Sequence, residues 1–225
     1  MAINLQKGQT INLRKNELGN NVYDLSTVTI GLGWDVRRQG GFLGSLFGMN
    51  DGPDYDLDAV AFLLDENGKV ADLGKTFFSG NGREIVLYQS DVIYFNSMRH
   101  PSGKIWLTGD NRTGAGDGDD EQIIVKLDQL DERYQKIVFV VSIYNGIVNR
   151  QHFGMIKNAF IRAVDARGKE ITKFSLSGDA SMNGMCSMIF AEAYRHNGDW
   201  KFRAIGEPYQ TDNFIEVIVP FMYRK

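Results

Sequence analysis

Short apolar segments separated by turn residues recur along the chain, and this pattern constrains the fold more than any other feature. Glycine is abundant, with 25 residues, and it recurs between the apolar runs. Strands joined by tight turns have this pattern, whereas amphipathic helices need apolar residues three or four positions apart over longer segments. The pattern predicts a mainly β protein, built as a two-sheet β-sandwich with a few short helices.

Eleven segments have the length and apolar content of strands. They are residues 28–34, 58–64, 69–73, 92–95, 105–107, 122–127, 137–144, 159–164, 170–176, 187–195 and 200–204. Turn residues at 65–68, 165–168 and 196–199 predict three hairpins, and Asn197-Gly198 is the pair that a primed turn requires. The run at 137–144 is apolar enough to be buried on both faces. Short helices are predicted near 126–133 and 213–219.

Composition predicts one soluble domain over residues 1–225. Hydrophobic residues make up 43% of the chain, and no Pro- or Ser-rich linker divides it. No apolar run approaches the ~18 residues of a membrane span, and the N-terminus lacks a secretory signal. The single cysteine, Cys186, fits a reducing compartment. We therefore expect a cytoplasmic protein, with a peripheral position on the inner membrane left open.

Acidic residues are concentrated in two short segments. Residues 51–58 and 110–121 together hold nine of the 28 acids in 20 positions, with Arg112 as their one base. The rest of the chain has 19 acids and 24 bases, a net charge of +5. Because the acidity is local, it indicates sites rather than a generally acidic surface.

The chemistry of these segments favours calcium. In an extended chain, the alternating Asp54, Asp56 and Asp58 project from one face about 6.6 Å apart, and a cation removes their mutual repulsion. Glycines in 109–121 let the backbone turn carbonyls toward a shared centre. Ca²⁺ takes six to eight oxygen ligands, and the segments contain no Cys or His. The spacing is not that of an EF-hand. The alternative is that both segments are solvated loops that use Asp and Asn for turns.

Several blocks of the sequence resemble the signature motifs of the TerD family. They are GLGWD (31–35), DYDLDA (54–59), TGDNRTG (108–114) with GDGDDE (116–121), KIVFVV (136–141) and YRHNGDWKFRA (194–204). The resemblance implies a β-sandwich with two neighbouring Ca²⁺ sites between these loops. It also implies membership of bacterial systems linked to tellurite, phage, colicin and general stress tolerance.

Candidate metal ligands are carried over by motif position. The side-chain candidates are Asp35, Asp56, Asp58, Asp110, Asn111, Asp117, Asp119 and Glu121. Weaker candidates are the carbonyls near Leu32, Trp34, Gly114 and Gly118. The sequence departs from the family at about 37–53, where the connection is longer and carries the apolar residues Phe42, Leu43, Leu46, Phe47 and Met49. This insertion either folds back onto the sandwich or forms an apolar tip that engages a membrane or a protein partner.

The expected function is a calcium-dependent interaction module without catalytic residues. Its expected partners are other proteins of a stress or tellurite-resistance system. Whether they meet at the membrane surface is left open. Nucleic acid is not expected, because basic residues form no stripe. His100, His152 and His196 are interpreted as structural or surface residues, and Cys186 as a buried inert thiol. Two alternatives stay open: a metal-dependent hydrolase that uses the carboxylates, and a module that docks on membranes through the insertion.

Overall fold

Two six-stranded sheets make up most of the described residues, as expected of a β-sandwich. The computed structural model describes residues 2–16, 18–20, 22–36, 55–78, 85–108, 119–176 and 180–223. Strands in these residues are β1 (Ile3–Leu5), β2 (Thr10–Asn12), β3 (Val28–Val36), β4 (Leu57–Leu64), β5 (Lys75–Phe78), β6 (Ile85–Tyr88), β7 (Val92–Ile93), β8 (Ile105–Leu107), β9 (Glu121–Val125), β10 (Lys136–Ile143), β11 (Ile156–Val164), β12 (Glu170–Leu176), β13 (Ser187–His196) and β14 (Asp199–Tyr209).

The sheets are mainly antiparallel. The first sheet has the spatial order β1-β12-β11-β3-β9-β8, and the second has the order β2-β14-β13-β10-β4-β7. Strands β5 and β6 pair only with each other in the described part of the chain. The pairing of β1 with β12 is parallel. The short helices are α1 (Gly146–Asn149), α2 (Phe214–Ile218) and 3₁₀ turns at Leu127–Gln129, Phe153–Met155, Ala180–Met182 and Val219–Phe221. None of the helices described is long and apolar enough to cross a membrane.

Two apolar clusters lie on opposite faces of the second sheet. The larger cluster fills the space between the sheets and receives alternate residues of β10, among them Ile137 and Phe139. Val138 and Val140 point the other way, into a second cluster that also contains Val217 and Ile218 of α2. Since successive side chains of a strand face opposite sides, a strand between two clusters is apolar on both faces. The predicted burial on both faces is confirmed for residues 137–143, which include the polar Ser142, whereas Tyr144 is 46% exposed.

Two of the three predicted hairpins are confirmed. Strand β11 pairs with β12, and β13 pairs with β14. In the second hairpin, Asn197 and Gly198 both have positive φ, at 52° and 79°, the conformation of a primed turn.

The third predicted hairpin is wrong, although its turn is present. Asp65 N–H donates to the carbonyl of Lys69 at 2.8 Å, and then the chain leaves β4. Residues 69–73 form no strand, and Val70 instead makes a parallel bridge with Met222. The edge of β4 that such a strand would need is occupied by β7.

The remaining differences concern short elements. The structure has a single 3₁₀ turn, Leu127–Gln129, where a helix was predicted near 126–133, whereas α2 confirms the helix near 213–219. Strands β1, β2, β5 and β6 and helix α1 were not predicted. The insertion at about 37–53 lies outside the described residues, and the single domain over 1–225 stays a prediction.

Candidate metal-binding end of the sandwich

The described acidic residues meet β3 and β4 at one end of the sandwich. Strand β9 starts at Glu121, which pairs with Leu32 of β3. The Oε2 atom of Glu121 accepts a hydrogen bond from the backbone N–H of Ala59 in β4, at 2.6 Å. Since β4 belongs to the second sheet and β9 to the first, this buried carboxylate joins the two sheets. The segments around 32–35, 56–59 and 119–121 therefore meet at one end of the fold.

Asp120 continues the pairing of β3 beyond the end of β9. Its N–H donates to the carbonyl of Leu32 at 2.7 Å, and its Oδ2 accepts from the N–H of Trp34 at 2.9 Å. The Leu32 carbonyl, one of the weaker ligand candidates, thus already accepts a hydrogen bond. Asp120 was not among the predicted ligands. Its carboxylate accepts the hydrogen bond from Trp34 N–H that a carbonyl of a neighbouring strand would otherwise accept.

Asp119 is held on the outer face of the first sheet. Its Oδ1 accepts from Nε of Arg162 at 2.7 Å, and its Oδ2 accepts from Nε2 of Gln122 at 3.2 Å. The carboxylate lies directly over Gly31, where an added Cβ would be 2.1 Å from Oδ2. Both neighbours of Gly31 in β3 pack between the sheets, so a side chain over Gly31 is on the opposite, outer side. Arg162 in turn contacts Glu170 at 3.1 Å.

Asp58 points to the outer face of the second sheet. Its neighbours Leu57 and Ala59 pack between the sheets, so the Asp58 side chain faces away from them. It is 7% exposed and lines a cleft of about 250 Å³ on that face. Asp58 and Asp119 are therefore on opposite outer faces of the sandwich. Packed sheets are about 10 Å apart and Ca²⁺–oxygen distances are about 2.3–2.6 Å, so one ion does not contact both carboxylates.

Asp56 precedes β4 at a half-buried position. Its carbonyl accepts from the N–H of Tyr144 at 2.8 Å, which fixes the backbone beside the end of β10.

The other ligand candidates are not among the residues whose side chains the structure describes. Residues 109–118 are not described, and of Asp35 only the backbone is placed, opposite Lys157 in β11. Within the described residues, no three His, Cys, Asp or Glu side chains are grouped so that they could hold a metal ion. The candidates in this outside set are Asp35, Asp110, Asn111, Asp117, Gly114 and Gly118, and their role as ligands stays a prediction.

A buried polar cluster lies away from this end. The Asp91 carboxylate accepts from the Tyr134 hydroxyl at 2.6 Å and lies 3.0 Å from Nε2 of His100, and all three side chains are buried. Burial alone raises the pKa of Asp91, but the hydrogen bonds from His100 and Tyr134 outweigh it, so the pKa lies below its usual value. His100 is therefore a structural residue, as predicted, and it secures the loop after β7.

Cys186 is buried, which confirms the sequence prediction. Its thiol donates to the carbonyl of Gln151 at 3.2 Å. Burial, and to a smaller extent the negative charge of Asp212, raises the pKa of the thiol. The thiol is therefore protonated at neutral pH and is a poor nucleophile.

Comparison with known proteins shows a family relationship over nearly the whole chain. The model of the TerD domain matches residues 1–219. The chain is 55% identical over 223 residues to tellurium resistance protein TerX of Serratia marcescens, covering 99% of this chain and 100% of that protein. It is 43% identical to stress response protein SCP2 of Bacillus subtilis, with 92% of each chain covered.

A solved structure has the same fold. It is a homologue of telluride resistance protein (TerD) from Streptomyces coelicolor A3(2), and it superposes with a TM-score of 0.56 at 22% identity, covering 84% of this chain and 94% of that one.

Proposed function

Because the chain belongs to the TerD family of tellurium-resistance and stress-response proteins, we propose that it is a calcium-dependent interaction module. In this proposal the protein binds two Ca²⁺ ions at the acidic end of the sandwich and performs no chemistry. The observation that carries the proposal is the meeting of three segments there, with the buried carboxylate of Glu121 bonded to Ala59 across the two sheets. An ion beside this junction on each outer face would stiffen the acidic loop on its own side of the sandwich.

The donor set fits calcium. All the side chains offered by the described segments are carboxylates, and flexible oxygen shells suit Ca²⁺ better than Mg²⁺ or Zn²⁺. The opposite positions of Asp58 and Asp119 support two ions rather than one, with Asp56 and Asp58 serving one ion and the 110–119 segment the other. Asp119 would serve its ion with the oxygen that does not contact Arg162.

Protein partners, rather than substrates, are proposed to use this end. The names of the relatives concern tellurium resistance and stress response and do not describe a reaction. We place the protein in the cytoplasm, among other proteins of a stress or tellurite-resistance system. Hydrolysis of a phosphoester with Mg²⁺ or Mn²⁺ by the purified protein would contradict the absence of chemistry.

Calorimetric titration of chelator-stripped protein with Ca²⁺ tests the proposal, with Mg²⁺ as the competing cation. We expect about two equivalents of Ca²⁺ to bind and Mg²⁺ to bind much more weakly. Asp56→Asn should weaken at least one site by about tenfold, because Ca²⁺ affinity follows the number of charged ligands. Asp131→Asn is the matched control, since Asp131 is exposed and only caps its own turn through Arg133 N–H.

The proposal fails if the stripped protein takes up no Ca²⁺. Equal affinities of the wild type and Asp56→Asn would remove Asp56 from the ligand set.

A further inference from the structure

A cleft of about 250 Å³ opens on the outer face of the second sheet. Its floor is formed by the start of β4 and the end of β10, at Asp58 and Ser142. Its walls are the turn at 94–96 and the segment before and within α2, residues 212–215. Apart from Asp58, none of the residues that line it is a candidate for the proposed Ca²⁺ sites.

Aromatic rings line the cleft in an unbroken series. Phe214 contacts Tyr94 with ring centroids 5.0 Å apart, Tyr94 contacts Phe95 at 5.3 Å, and Phe95 contacts Tyr144 at 6.3 Å. The last two contacts are edge-to-face, at 78° and 83°, so neighbouring rings are turned in different directions. Ring faces carry negative charge density and attract cations. A cationic group in the cleft would lie beside these rings.

The charged residues that line the cleft are both acidic. Asp58 lies at the floor, and Asp212 lies at the wall, where its Oδ2 accepts from the N–H of Ile147 at 3.0 Å. No Lys, Arg or His is found among the lining residues of the described chain. Carboxylates in a concave site with apolar walls produce a focused negative potential. The charge and the rings therefore favour the same class of ligand, an organic cation.

Exposed apolar residues continue from the rim of the cleft along α1. Tyr144 is 46% exposed, Ile147 is 57% exposed and Val148 is 80% exposed. Ile147 is joined to the cleft wall by its bond to Asp212. Adjacent exposed apolar residues are typical of a surface that contacts another protein. These apolar residues favour a cation that belongs to a polypeptide over a free small molecule.

We propose that the cleft binds an arginine side chain of a partner protein, with an apolar residue beside that arginine resting on Ile147 and Val148. A guanidinium group is planar, stacks on aromatic rings and forms paired hydrogen bonds with a carboxylate. Lysine has none of these planar contacts and should bind less well. The site needs no metal, but it shares Asp58 with one of the proposed calcium sites, so bound Ca²⁺ should weaken the binding of arginine there.

The test uses the full chain, labelled with ¹⁵N, and the blocked peptide acetyl-Leu-Arg-Leu-amide. Amide shifts are followed during titration, once with Ca²⁺ and once with chelator. We expect shifts at the cleft and at α1 with chelator, and weaker binding with Ca²⁺, because the ion and the arginine would share Asp58. Replacing arginine with citrulline, its neutral analogue, should weaken binding at least tenfold, and acetyl-arginine-amide should bind several-fold more weakly than the peptide.

Two variants with matched controls locate the site. Asp212→Asn keeps an oxygen for Ile147 N–H but removes the charge, and should weaken peptide binding at least fivefold, whereas Asp131→Asn should not. Tyr144→Leu should weaken it about threefold because the ring face is lost. Tyr88→Leu is its control, at an equally exposed tyrosine, 48% exposed, outside the cleft.

Three results would overturn the inference. The first is equal binding of the arginine and citrulline peptides. The second is unchanged affinity in Asp212→Asn, provided that its spectrum shows a folded protein. The third is acetyl-arginine-amide binding as tightly as the peptide, which would make the cleft a site for free organic cations. Calcium titration of Asp212→Asn should match the wild type, so this test and the calcium test fail separately.

Discussion

At the scale of single residues, Gly31 shows how a backbone position in a strand depends on a distant carboxylate. The Asp119 side chain occupies the space in which a Cβ of residue 31 would lie. Asp119 cannot easily move away, because Arg162 and Gln122 hold its two oxygens. A glycine in the middle of a strand is otherwise unfavourable, and here it makes room for an ion pair on the outer face.

Gly31→Ala should therefore destabilise the protein, although alanine itself suits a strand better than glycine. We expect a loss of about 1–3 kcal/mol in the free energy of unfolding, as for overpacked sites. Urea denaturation measures it.

The second half of this test is a double mutant. In an Asp119→Ala background the carboxylate is gone, so adding Gly31→Ala should cost much less than it does in the wild type. A penalty of equal size in both backgrounds would show that the contact between residues 31 and 119 is not its cause.

At the scale of elements, α2 is a cover for the outer face of the second sheet. Asn213 caps the helix by accepting from Ile215 N–H at 3.0 Å, and Phe221 in the next turn contacts Phe62 of β4 with ring centroids 5.2 Å apart. A helix of five residues has little stability of its own. Its position depends on Val217 and Ile218, which are fully buried in the second cluster.

Adjacent residues of this segment provide a matched comparison. Ile218 is 0% exposed and Val219 is 56% exposed. Ile218→Ala should cost about 2–5 kcal/mol of stability, and Val219→Ala should stay within about 0.5 kcal/mol. Thermal melting of the two variants measures the difference. Similar melting temperatures would mean that the segment is not part of the cooperative fold.

Elements with strong internal patterns were predictable from the sequence. The run at 137–144 is predictable because it is apolar at all positions except Ser142, and the Asn197-Gly198 turn because few residues adopt its conformation. Residues 69–73 also follow a turn and are partly apolar, but β7 occupies the edge of β4 that they would need. Which strand pairs with a given edge depends on the topology of the whole sheet and not on the local sequence. Strands β1 and β2 have three residues each, which is too short for an alternating pattern to be visible.

The candidate site was predictable in its residue types and not in its geometry. Clustered acids in 54–58 and 109–121 indicated oxygen ligands. The separation of Asp58 from Asp119 follows from which face of each sheet is buried, and the contact of Asp119 with Arg162 joins residues 43 positions apart. Neither the separation nor the contact can be recognised from the residues nearby in the sequence. Identifying Arg162 as the partner of Asp119 requires the register of the strands.

At the scale of the whole molecule, the proposed calcium sites would lie at the end where Glu121 joins the two sheets. Glu121 accepts a hydrogen bond from Ala59 of the other sheet, and bound ions would fix the acidic loops beside this contact. A ligand that binds only the folded state stabilises it by about 2.7 kcal/mol at a concentration 100 times its dissociation constant.

Saturating Ca²⁺ should therefore raise the melting temperature of stripped protein by about 5–10 °C. Differential scanning calorimetry with Ca²⁺, with Mg²⁺ and with chelator measures this. A rise of the same size with Mg²⁺ would argue for general screening of the acidic loops. Asp131→Asn should show the full rise, and Asp56→Asn a smaller one.

The burial of β10 on both faces also means that, during synthesis, the strand is made before the helix that covers it. Its outer face is closed in part by α2, which begins at Phe214, 71 residues after β10 ends at Ile143. A ribosome adding 5–20 residues per second needs roughly 4–14 s for that stretch. During this interval the nascent strand presents Val138 and Val140 without their final cover. The growing polypeptide therefore has an aggregation-prone period that the finished protein does not show, and chaperones that recognise apolar segments would act on it then.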